Sequence, residues 1–152
     1  MKPLLLATAL AALALPAFAQ DDDDLRKAVE VRQGMYKLYG NYIGPLGGMA
    51  RGKMDYDAET AQRAAESLAA VASIDRSGFF PEGTSSNDID DSEALPALWE
   101  NMDDVTERFD ELESATQELA ASAGDGLDAL KQSVGRVGQT CKGCHDEYRV
   151  DD

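Results

Sequence analysis

From Leu25 onward the apolar residues recur every three or four positions. Leu25, Val29, Tyr36, Tyr39, Ile43, Leu46 and Ala50 fall on one stripe, which predicts an amphipathic helix that begins at the acidic run Asp21–Asp24 and fades at Gly47, Gly48 and Gly52. A second helix is predicted from Ala58 to Ile74, where Ala61, Ala65, Leu68 and Ala72 make a face of small side chains that lets a neighbour approach closely. Residues 75–102, DRSGFFPEGTSSNDIDDSEALPALWENM, are broken by glycines, prolines and a Ser/Asn/Asp cluster. They read as a long connection with a short helical turn around Ala94–Trp99. A third helix is predicted from Asp103 to Ala121 on Val105, Phe109, Leu112, Thr116 and Leu119, ending near Gly124 and Gly126, and a fourth from Leu127 to Tyr148. No stretch sustains the two-residue alternation of a strand. Four amphipathic helices with one long crossover predict an all-α four-helix bundle.

Residues 1–19, MKPLLLATALAALALPAFA, have a different pattern: a basic start at Lys2, an apolar run from Leu4 to Leu15, and Ala17 and Ala19 in an A-x-A arrangement. That is the form of a secretory signal peptide, with cleavage expected after Ala19 and export to the periplasm. The run is shorter than the roughly 20 residues that span a bilayer. The remaining 133 residues suffice for one domain. Loss of Lys2 with the leader takes the formal charge from −15 to −16. So acidic a surface repels phosphate backbones and anionic lipids, which argues against nucleic-acid and membrane partners. It serves solubility, or it docks a basic redox partner.

The densest chemistry is CKGCH, residues 141–145. The seam of the fourth helix runs through Leu127, Leu130, Val134, Val137, Cys141, Cys144 and Tyr148, so both cysteines face inward. His145 lies one turn beyond Cys141 on much the same side. A disulfide between positions three apart closes too small a loop to stabilise much. A thioredoxin-type centre needs a helix start after a strand, and this motif stands at the far end of a helix. Two cysteines and the chain's single histidine are too few for a closed zinc site. Covalently attached haem uses every element: two thiols one turn apart for the vinyl groups, and an adjacent imidazole for the iron.

The single histidine excludes two imidazole ligands from one subunit, and only DEYRVDD follows it. The opposite haem face must therefore be built by an earlier helix. On the first helix Arg32 takes a seam position; a buried guanidinium there would pair with the propionates, with Gln33 adding a hydrogen bond. The alternative is that Arg32 reaches the surface or pairs with a carboxylate. Tyr36 follows one turn later, over the iron, unless it is simply a core tyrosine. Met35 points about 100 degrees away. An iron with a crowded, apolar distal side and five ligands is the expectation.

The segments RQGMYKLYGNYIGPLGGMARGKMDYDAE, FFPEGTSSND, LPALW and VGQTCKGCHDEYR together resemble the cytochrome c′ family. The resemblance implies an antiparallel four-helix bundle with one haem c per subunit, a homodimer packed through its first two helices, and reversible binding of NO and CO without substrate turnover. It implies thioethers at Cys141 and Cys144, His145 as the axial iron ligand, Arg32 and Gln33 at the propionate edge, and Tyr36 in the distal pocket. Arg149 is implied beside the proximal histidine, although a cation closing the last helical turn would also explain it. Glu93 is implied at the haem edge. Phe79 and Phe80 would wall the pocket or belong to the core. Low-spin relatives that carry electrons place methionine where Tyr36 stands, so a low-spin electron-transfer cytochrome with a methionine ligand is the competing expectation. A helical binding module without haem is the third.

Overall fold

The computed structural model describes the backbone of residues 18–151 and the side chains of residues 22–151. Residues 1–17, which carry most of the expected leader, lie outside the described residues. Helix α1 runs Phe18–Ala50, α2 Ala58–Ala72, a one-turn α3 Ala97–Glu100, α4 Met102–Ser122 and α5 Leu127–Tyr148. The long helices form a ring in which α1 packs on α2 and α5, and α4 packs on α2 and α5; α3 rests on α4 and α5. This is the expected four-helix bundle, and the bounds of α5 are those predicted.

Helix α1 continues through the glycines where its pattern was expected to fade. Leu46 and Met49 explain why: both are buried and belong to the main core with Leu68, Leu119, Leu130 and Val137. Burying each such side chain contributes about 1.5–3 kcal/mol, which outweighs the poor helix propensity of the intervening glycines. The helix ends at Ala50, and the turn that closes it needs Gly52, whose φ of 69° suits glycine. Its amide reaches the Met49 carbonyl at 3.0 Å, while the Lys53 amide reaches the Gly48 carbonyl at 2.9 Å, the paired closure of a Schellman end.

Asp57 opens α2 by accepting from the Thr60 amide at 2.8 Å. The α2 face is alanine-rich as predicted, with Ala61, Ala65 and Ala72 fully buried, but the helix ends at Ala72, before Ile74. Tyr56 and Gln62 then lock one end of the bundle. The Tyr56 hydroxyl donates to the Ala123 carbonyl at 2.9 Å and accepts from the Gly126 amide at 3.0 Å. Gln62 Nε2 donates to the Ala120 carbonyl at 2.8 Å. Gly126 makes the turn into α5 with φ of 123°, a conformation that L side chains rarely adopt.

A second apolar cluster, Leu98, Val105 and Tyr148 with Phe80, Trp99, Phe109 and Cys144 around them, lies where the crossover meets α4 and α5. The crossover is also tied to the residues after α5. Ala94 and Arg149 form an antiparallel bridge, with the Leu95 amide on the Tyr148 carbonyl and the Val150 amide on the Glu93 carbonyl, both at 2.9 Å.

Candidate functional site

Between α1, α4, α5 and the crossover lies a cavity of about 660 Å³, within the size range of cofactor pockets. Cys141, Cys144 and His145 all line it from α5. The α-helical repeat makes this possible, since three and four residues return to nearly the same side. Both thiols are free and half-buried. Burial pushes the Cys141 thiol up, and the Cys144 thiol up against a partial opposing pull from Arg108.

Helix α1 supplies the facing wall with Val29, Arg32, Gln33, Tyr36, Tyr39 and Ile43. Tyr36 meets Tyr39 edge-on, ring centroids 5.9 Å apart. The Tyr36 side chain is 38% exposed, but crowding by the cavity wall around it, then the neighbouring Cys144 and Tyr39, push its phenol above its ordinary range, so it stays neutral at physiological pH. Met35 is buried and does not line the cavity, as its angular offset predicts.

Arg32 is buried, but among the described residues no carboxylate meets it. Its Nη1 donates to the Phe79 carbonyl at 3.3 Å and Thr84 Oγ1 at 3.2 Å. Its Nη2 donates to the Thr84 carbonyl and Ser92 Oγ, both at 2.9 Å. The guanidinium also lies 5.1 Å from the Phe80 ring centroid. Four neutral acceptors of the crossover thus satisfy the terminal nitrogens. Gln33 acts beside it, Nε2 donating to the Asp91 carbonyl at 2.7 Å. Both side chains still line the cavity.

Glu93 and Arg149 line the cavity as well, and they pair with each other, Nε to Oε2 at 2.9 Å. Of the two loop phenylalanines, Phe80 presents its ring to the cavity. Phe79 is not among the lining residues and contributes its carbonyl to Arg32.

Sequence reasoning missed a group on α4. Asp104 Oδ2 accepts from Arg108 Nε and from the Tyr148 hydroxyl, both at 2.6 Å. Arg108 lines the cavity beside Cys144. The Asp–Arg spacing of four along a predicted helix was the available signal.

Four cations, Arg32, Lys37, Arg108 and Arg149, line this space against one carboxylate, Glu93, in a chain with 29 acidic and 14 basic residues. An apolar interior with a cationic rim fits a flat apolar macrocycle that carries two carboxylates, and the thiol pair with its imidazole fits covalent haem.

The chain matches the family model described as cytochrome C′ over residues 27–149. It is 39% identical to a cytochrome c-554 of Cereibacter sphaeroides, covering 100% of both chains. Its fold is similar to the solved cytochrome c′ from Rhodobacter Spheriodes, with a TM-score of 0.82, 36% identity, and 84% and 98% of the two chains covered. It is also similar to a ferrous variant of the Alcaligenes xylosoxidans cytochrome c prime with bound NO, with a TM-score of 0.73, 26% identity, and 84% and 97% covered. The chain belongs to the cytochrome c′ family of haem proteins, whose cofactor is haem c.

Proposed function

We propose that this chain is a periplasmic, high-spin haem c protein that binds small diatomic ligands, NO and CO, on a five-coordinate iron without turning over a substrate. The observation that carries the reading is the wall opposite CKGCH: among the described residues neither methionine nor a second histidine lines the cavity, and the side chain in the distal position is the neutral phenol of Tyr36. The Alcaligenes xylosoxidans relative solved with bound NO supports the choice of ligand. Electron transfer is a second role compatible with the same site; the acidic surface suits a basic redox partner.

Cys141 and Cys144 would hold the macrocycle as thioethers, and His145 would ligate its iron. Arg32, Gln33 and Glu93, which line the cavity, would meet the propionates, and Arg149 would stand on the side of His145. Bound haem supplies an iron with one open position and a one-electron couple. Tyr36, supported edge-on by Tyr39, makes the open side a narrow apolar entry that admits two-atom ligands and excludes larger or polar ones. Residues 1–19 would be removed on export. The exposed α1 residues Val31 and Leu38, seven positions apart and so on one face, suit a homodimer packed through α1 and α2; sedimentation should return twice the subunit mass.

An absorption spectrum of the purified protein tests the central reading. A Soret band with high-spin ferric and ferrous features is expected. A low-spin pair with a methionine-to-iron band would overturn five-coordination, and no Soret band would remove haem altogether.

A further inference from the structure

CKGCH carries glycine at its centre, an unfavourable residue inside a helix. The other glycines of α5, Gly135 and Gly138, face open space, whereas a Cβ on Gly143 would sit 3.1 Å from Arg108 Nη1. The guanidinium of Arg108 therefore rests on the backbone of the cysteine turn. It is held there from two sides: Nε donates to Asp104 Oδ2 at 2.6 Å, and the Tyr148 ring lies beneath it with the centroid 5.6 Å from Cζ. Tyr148 also donates to the same Asp104 oxygen at 2.6 Å, which fixes the carboxylate.

The pair has a direction. Arg108 lines the cavity with Cys144, Phe109 and Leu112, and Asp104 is not among the lining residues. The ion pair thus turns its positive end to the cavity and its negative end away.

We propose that Arg108 is a tuning residue for the reduction of the haem, a fixed positive charge set beside Cys144 by Asp104 and Tyr148. The inference rests on the haem reading given above. One-electron reduction of ferric to ferrous haem by an external donor removes one positive charge from the site, with no bond made or broken. A nearby fixed cation favours the reduced form, and the carboxylate behind it opposes that effect from a greater distance. At an effective dielectric of about 20, a unit charge acting over about ten ångströms changes such an equilibrium by roughly tenfold. For one electron, tenfold corresponds to about 59 mV.

The two partners therefore carry opposite predicted signs. Arg108→Leu leaves the carboxylate without its cation and is expected to shift the equilibrium toward the oxidised form by roughly tenfold. Asp104→Asn leaves the cation and is expected to shift it the other way by a smaller factor. The double variant should fall between, and Arg108→Lys should stay near the parent. Spectroelectrochemical titration of each purified holoprotein with mediator dyes reads these shifts, with the ferric spectrum recorded to check that the spin state is kept. A merely structural role would move both single variants in one direction. That result, or potentials unchanged in both, would overturn the proposal. If Arg108→Leu fails to hold haem, Asp104→Asn and Arg108→Lys still read the sign and the rescue. A parent protein without a Soret band would overturn the haem reading and this proposal together, whereas unmoved potentials in a haem-bearing protein would overturn this proposal alone.

Discussion

Tyr36 combines two properties that set what the cavity can admit: its ring is braced edge-on by Tyr39, and its surroundings keep its phenol protonated. Tyr36→Ala removes the ring, and CO association with the ferrous protein should rise by about tenfold or more, each tenfold being about 1.4 kcal/mol of barrier. Stopped-flow or flash photolysis checks this, and unchanged kinetics would show that the ring is no gate. Tyr36→Met places a thioether in the same position and should give a six-coordinate, low-spin spectrum. An unaltered high-spin spectrum would mean that position 36 does not face the iron. Periodicity alone placed Arg32 and Tyr36 on the stripe that lines the cavity and turned Met35 away from it; Met35 is buried in the protein, whereas Tyr36 is 38% exposed. The partners of Arg32 were illegible, because backbone carbonyls and hydroxyls about fifty residues downstream carry no charge pattern. Glu93 was assigned to the haem edge and Arg149 to the side of His145; their ion pair spans 56 residues, beyond the reach of any local spacing.

The crossover between α2 and α4 owes its shape to those long-range bonds. Arg32 holds Phe79, Thr84 and Ser92, and Gln33 holds Asp91. Arg32→Ala would leave buried acceptors unsatisfied, at about 1–3 kcal/mol for each one that water cannot reach. A loss of about 3 kcal/mol in denaturant unfolding is expected, with faster amide exchange across residues 79–92. Unchanged exchange would show that the crossover stands without the clamp. The long helices were more legible than this loop. Helix α5 ends where its seam predicts because Gly126 forces its start and the seam is unbroken to Tyr148. Helices α1 and α2 strayed from their patterns for opposite reasons. Leu46 and Met49 extend α1 across glycines by burial, while α2 stops short because the Ser73 and Ile74 amides close on the Ala69 and Val71 carbonyls and the chain turns.

Across the whole molecule, 29 acidic residues confront 14 basic ones, so the folded chain repels itself at neutral pH. Raising ionic strength from about 0.01 M to 0.15 M shortens the screening length from about 30 Å to 8 Å. The melting temperature should rise by a few degrees over that range, and a fall would mean that attractive pairs dominate. Acid acts in two stages. From pH 7 toward the isoelectric point near 4.3 the repulsion fades and stability should increase. Below that, Asp57, Asp75 and Asp104 reverse the trend, since hydrogen bonds from Thr60, Ser77 and Arg108 respectively hold their carboxyls below the usual range. Their stabilisation is complete above the unfolded carboxyl pKa of about 3.9 and is lost as pH falls through the lower folded values. Calorimetry across pH 2–8 should therefore find a maximum between about pH 4 and 6, and a monotonic profile would contradict this. The bridge from Glu93, Ala94 and Leu95 to Tyr148, Arg149 and Val150 also couples two properties of the cavity. The strap that closes its rim lies on the same short segment that brings the two thiols and the imidazole. Losing that segment would open the pocket and empty it of its chemistry at once.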